Sequence, residues 1–177
     1  IYAPACETLG IVDNEGNISG RLVDGFEVDP DALTLTMTCR EGITFSDGSE
    51  FNAEALAWEI NECINENNTA VSAGASSAEA VDDMTVVVHF PSYANNWAEI
   101  YSQFIVISKY SYDTYGKDYM INTPVGTGPF ICTNFEKNVT VEFKRNENYW
   151  QEGLPYLDGI TFVCMSQETL LSSMVNN

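Results

Sequence analysis

Positive charge is scarce in this sequence: 7 Lys and Arg stand against 26 Asp and Glu in 177 residues, a formal net charge of −19. Such a surface repels phosphate backbones and anionic lipid headgroups at long range, which sets aside nucleic acid and a membrane surface as partners. Two readings stay open for the acidity, solubility and attraction of cationic solutes. Histidine is nearly absent, His89 being the single one, and Cys6, Cys39, Cys63, Cys132 and Cys164 include no Cys-x-x-Cys pair. Zinc therefore has no clustered ligands, and neither a metal nor a cofactor is expected. One histidine also leaves no Cys-His or Ser-His-Asp set to assemble, and Asp82 and Asp83, adjacent in a turn, point apart. No catalytic residue is assigned, and the chain is not read as an enzyme. No apolar run of about 18 residues occurs, so no membrane-spanning helix is expected.

What is present is enough apolar residues for a core, 45% of the chain with 12% aromatic, and one stretch where strand, turn and helix signals follow without a gap. Leu33, Leu35, Met37 and Cys39 alternate with Thr34, Thr36, Thr38 and Arg40, the period-two pattern of a strand buried on one face. Asp47-Gly48 supplies a turn and Asn52 a helix N-cap. Leu56, Ile60, Cys63 and Ile64 then form one apolar helical stripe over residues 52–67, with Phe51 placed to staple onto Leu56. Both Asp47 and Glu50 read as turn and helix-start residues.

Along the rest of the chain, residues 1–12 read as an extended entry, 21–28 as a short strand, and 67–77 as a polar loop. Residues 78–81 and 84–90 form a hairpin about Asp82-Asp83, with His89 on its outer face. A short helix or turn over 97–101 precedes an apolar run, Phe104 to Ser108, of the right length for a buried strand. A helix over 109–115 closes at Gly116. Residues 130–135 and 139–144 make a hairpin, 159–165 a third strand beside it, and 167–175 a closing helix. Pro129 removes a donor from the glycine loop at 124–129, which excludes a phosphate cradle. Cys39, Cys63, Cys132 and Cys164 fall on apolar faces and read as buried thiols, a Cys132–Cys164 bridge being the one disulfide to entertain. The fold class is α/β, in the sense of mixed α+β.

The stretch Phe45-Ser46-Asp47-Gly48-Ser49-Glu50-Phe51-Asn52-Ala53-Glu54 resembles the signature region of the family 5 extracellular solute-binding proteins, the peptide- and nickel-binding components of ABC importers. Pro124 to Phe130, Arg145 to Trp150 and Pro155-Tyr156-Leu157-Asp158 match the same family in the same order, with Glu7-Thr8-Leu9 and Gly16 where it has its early strand and turn. The resemblance implies one lobe of a two-lobe periplasmic-binding-protein-like fold, the second lobe absent. It places the end of a main-lobe entry strand at residues 1–5, an inserted smaller domain at 6–108 and part of the main lobe at 109–177. It implies a solute-binding subunit, lipid-anchored through residues upstream of Ile1 or periplasmic, that captures di- or oligopeptides and hands them to a membrane permease. Alternatives are a peptide or pheromone receptor of the same fold and a nickel binder, for which one His and scattered Cys give little to hold. By position along the family pattern, Cys6, Glu7, Tyr101, Gln103 and Phe104 are expected at the ligand, while the signature motifs are expected to be architectural.

Overall fold

The computed structural model describes residues 2–165, so the closing helix expected over 167–175 lies outside the described residues. The entry segment turns into a small hairpin, β1 (Gly10–Val12) and β2 (Ile18–Gly20), in which Val12 faces Ile18. The Asp13 carboxylate closes it by accepting from the backbone N–H groups of Glu15 and Asn17. Next come β3 (Glu27–Asp29) and β4 (Thr34–Thr38), so the strand expected over 21–28 is present only at its end. Upstream of β3, Val23 makes a single bridge to Cys39.

The signature turn leads into α1 (Ala53–Asn65), where the Asn52 side chain accepts from Ala55 N at 2.9 Å as an N-cap should. A four-residue helix, α2 (Thr69–Ser72), occupies the polar stretch read as a loop. The hairpin of β5 (Ser77–Ala80) and β6 (Thr85–His89) completes a four-stranded antiparallel sheet in the order β3-β4-β6-β5. Leu35 faces Val88 and Met37 faces Val86, and these four, with Leu56 and Ile60 of α1, are fully buried. The period-two and helical patterns therefore meet in one core. His89 is on the outer face, 2.9 Å from the Glu79 carboxylate.

After α3 (Trp97–Ser102) the run from Phe104 to Ser108 is not a ladder strand. Leu9 N donates to Phe104 O and Val106 N to Glu7 O, whereas Ser108 N donates to Val125 O. Its hydrogen bonds are divided between two partners, and only Thr8 and Ile105 form a bridge. α4 (Lys109–Tyr115) ends at Gly116, whose φ of +83° favours glycine, and α5 (Lys117–Asn122) begins at once. Only Met120 of α5 is buried, so its sequence carried no clear apolar stripe. A second antiparallel sheet, β7 (Phe130–Glu136), β8 (Thr140–Arg145) and β9 (Gly159–Val163), ends the described chain. Its core is a separate cluster made of Ala5, Cys6, Phe130, Cys132, Val141 and Phe143.

All five cysteines are free, which corrects the entertained disulfide. β8 separates β7 from β9, so Cys132 opposes Phe143 while Cys164, past the end of β9, bonds Val139 and is exposed. Cys63 is half-buried; Cys39 and Cys132 are buried as expected.

Candidate functional site

Two carboxylates hold the surroundings of the site. Glu7 is 6% exposed and accepts from Tyr149 OH at 2.7 Å, Trp150 Nε1 at 2.8 Å and Thr127 Oγ1 at 3.1 Å. Burial, followed by the Glu7 bond, pushes the Tyr149 hydroxyl pKa well up, so it remains a donor. The entry segment is thereby tied to the Arg145–Trp150 stretch. It is tied to the glycine loop as well: Gly128 N donates to Ala5 O, and a Cβ on Gly126 would lie 2.5 Å from that same oxygen.

Asp47 is the second anchor. One carboxylate oxygen accepts from Ser108 Oγ at 2.5 Å and Ser111 Oγ at 2.6 Å, the other from Ser49 N and Oγ. Partial burial pushes its pKa up, but the hydrogen bonds from Ser108, Ser111 and Ser49 outweigh that and hold it below the usual value. Ser46 N also donates to Gly126 O. The signature turn thus pins both the start of α4 and the glycine loop, a role that reading Asp47 as a turn residue did not reveal.

Between these anchors the segments 5–9 and 104–108 run side by side. Against them lies a cavity of about 290 Å³, bounded by Trp58, Cys63, Ile105, Ile107, Tyr112 and Met120 among others. Glu59 also faces it, although the residue is only 7% exposed. One of its oxygens accepts from Ile107 N at 3.0 Å, and burial drives its pKa well above the carboxylate range. The sequence left Glu59 beside the apolar stripe of α1, with no sign that Ile105 and Ile107 would cover that side.

The profile of the bacterial extracellular solute-binding proteins, family 5 (middle region), matches residues 17–177. The chain belongs to this family. Over 172 residues it is 31% identical to the glutathione-binding protein GsiB of Salmonella typhi, covering 93% of the chain and 33% of that protein. It is 32% identical over 158 residues to GsiB of Pectobacterium atrosepticum, covering 85% of the chain and 30% of that protein. Two solved structures share the fold. NikA from Brucella suis in complex with Fe(III)-EDTA superposes with a TM-score of 0.84 at 22% identity over 99% of the chain and 36% of its own. The oligopeptide-binding protein AppA from Bacillus subtilis, in complex with a nonapeptide, gives 0.82 at 17% over 98% and 36%. The chain spans about a third of the length of the curated relatives it matches.

In this family 5 chain the five residues expected at the ligand occupy different settings. Gln103 is exposed at the end of α3. Tyr101 and Phe104 are in the core rather than on the rim, because their rings stack 5.9 Å apart and the Tyr101 hydroxyl, its pKa raised by burial, donates to Ser72 O. Cys6 is buried where Gly126 closes over it, and burial, with Glu59 and other neighbouring acidic groups, pushes its thiol pKa up. Glu7 spends its oxygens on the three donors above. The segments named from sequence position run side by side in the fold, and beside them the exposed Ile105 and half-buried Ile107 were not among the expected residues. Among the described residues no group of His, Cys, Asp and Glu could hold a metal, and no helix is long and apolar enough to cross a membrane.

Proposed function

We propose that this chain is part of the extracellular or periplasmic solute-binding subunit of an ABC importer, that it delivers its solute to a membrane permease, and that the solute is a peptide. The observation carrying the reading is the family match across residues 17–177. Glutathione is itself a tripeptide, and the GsiB relatives named above are 31% and 32% identical to this chain. The exposed Ile105, in a strand-like segment just past the α3 cap, suits this role. Its neighbour Thr8 is in a one-bridge pairing, which leaves backbone groups free to pair with an extended peptide in the manner of an added strand. Anchoring through an upstream lipid belongs to the same proposal.

One wall of a cleft gives little grip, since affinity in a closing protein comes from burial on both sides. A mixed di- to pentapeptide library titrated into isotopically labelled chain should therefore bind only weakly, at about millimolar (about 4 kcal/mol). The shifted amides should be those of residues 5–9 and 103–107. Shifts confined to the β7–β9 sheet, or peptide affinity that survives scrambling of the 103–107 segment, would overturn the reading.

A further inference from the structure

A carboxyl group at the floor of an apolar cavity needs an explanation. Glu59 is buried to within 7% of full enclosure, and its Oε2 takes the Ile107 N–H. Its Oε1 has no partner among the described residues. That oxygen is not sealed in the protein, because the one fully enclosed side-chain polar atom without a partner there is Trp97 Nε1. Oε1 therefore keeps some access to solvent, and Glu59 is one of the residues lining the cavity.

Among the described residues no side-chain cation is free to answer it. Lys117, across the cavity on α5, is paired with Glu66. Lys109 is held by Asp113 at 2.5 Å and sits over the Trp58 ring. The other titratable side chains nearby among the described residues carry no positive charge: Glu62, Glu66 and Cys63 from α1, Tyr112 from α4, and Tyr2 and Cys6 from the entry segment. Burial, aided by Glu59 and Glu66, pushes the Cys63 thiol up to about 11, so it is neutral. The walls are apolar and aromatic, Trp58 and Tyr112 meeting edge to face at 5.0 Å, and about 150 Å³ of such space already admits benzene.

We propose that this cavity binds an ammonium-bearing organic cation, its apolar body against Trp58, Tyr112 and Ile107 and its ammonium group on Glu59 Oε1. A carboxylate supplies the charge-assisted acceptor and the aromatic faces a second source of attraction for a cation. The acidic side chains of Glu62 and Glu66 at the cavity disfavour anions, and a wholly apolar guest would leave Oε1 without a partner. The inference rests on the solute-binding reading for its biological meaning, and names the solute's class as amine-bearing.

In the empty cavity Glu59 holds its proton, because burial disfavours the carboxylate. When R–NH₃⁺ enters, the carboxyl gives that proton to solvent and the ion pair Glu59–COO⁻···⁺H₃N–R remains, so each amine bound releases a proton. Calorimetry of the 177-residue chain with benzylammonium chloride, in two buffers of different ionisation enthalpy, measures this directly. The expected result is net proton release wherever the carboxyl is protonated in the empty cavity, with affinity rising by up to about tenfold per pH unit below the carboxyl's raised pKa. Benzyl alcohol, of nearly the same shape, should bind at least about tenfold more weakly at pH 7.5, and Glu59→Gln should abolish both the proton release and the pH dependence. Equal binding of the alcohol, or amine binding without proton release in the unaltered chain, overturns the proposal whether or not the variant folds. Peptide titration mapped to residues 5–9 and 103–107 is a separate readout. Its failure would strike the importer reading, and amine binding could still stand.

Discussion

Glu59 and Asp47 are carboxylates of opposite temperament, and the pH dependence of stability should register both. Above its ordinary value of 4.5, Glu59 is ionised in the unfolded chain but stays protonated in the fold. The unfolded state then binds fewer protons, so stability falls as pH rises until the folded pKa is passed. Asp47 works the other way. Its folded pKa lies below 3.8, so its contribution is complete above that value and is lost as pH falls through the lower folded pKa. Thermal unfolding followed from pH 3 to 8 should show Glu59→Gln melting higher than the unaltered chain at pH 8, the gap narrowing toward pH 4.5. A gap independent of pH would mean that Glu59 is ionised in the fold.

At the scale of elements, the loop Pro124–Pro129 matters through what its glycines do not have. A Cβ on Gly128 would lie 2.6 Å from the Ala5 carbonyl carbon and 2.8 Å from the Pro4 oxygen, both backbone atoms that cannot swing aside. Gly128→Ala should therefore displace residues 4–6 and cost about 1–3 kcal/mol, the range for overpacking. Gly48→Ala should also destabilise, through strain at φ +87° and not through contact, since nothing lies within 4 Å of its Cβ position. Comparable melting of Gly128→Ala and the unaltered chain would show that the loop yields. Periodicity made β4, α1, β6, β7 and β8 legible, because each buries one face against a partner inside the chain. It could not show α2 and α5, whose buried residues are single, or the divided bonding of residues 104–108, which depends on Val125. Likewise the sequence marks Asp47 as a turn residue and Glu7 as an acidic residue of the entry segment, but their partners Tyr149, Trp150, Ser108 and Ser111 are far along the chain. The cavity was illegible for the same reason: Glu59 acquires its meaning only when Ile107 arrives beside it.

At the scale of the whole molecule, the described residues form two hydrophobic clusters, one drawn from residues between Leu9 and Val106, the other from Ala5, Cys6 and the β7–β8 pair. Glu7 sits where they adjoin. Through Tyr149, Trp150 and Thr127 it fastens the entry segment to the second half of the chain, and Trp150 packs in turn against the first cluster. Removing the carboxylate leaves buried donors without an acceptor, which costs about 2–4 kcal/mol when the lost bonds are to a charged group. The loss should not be spread evenly. The β4–β6 pairing and α1 draw their burial from residues within the first cluster, whereas β7 and β8 depend on Ala5 and Cys6 being held in place. Native-state hydrogen exchange on Glu7→Ala should show the amides of β7 and β8 opening more readily, with those of β4 and β6 keeping their protection. If β4 and β6 lose protection in step with β7 and β8, the two clusters unfold as one unit and Glu7 is not the joint between them.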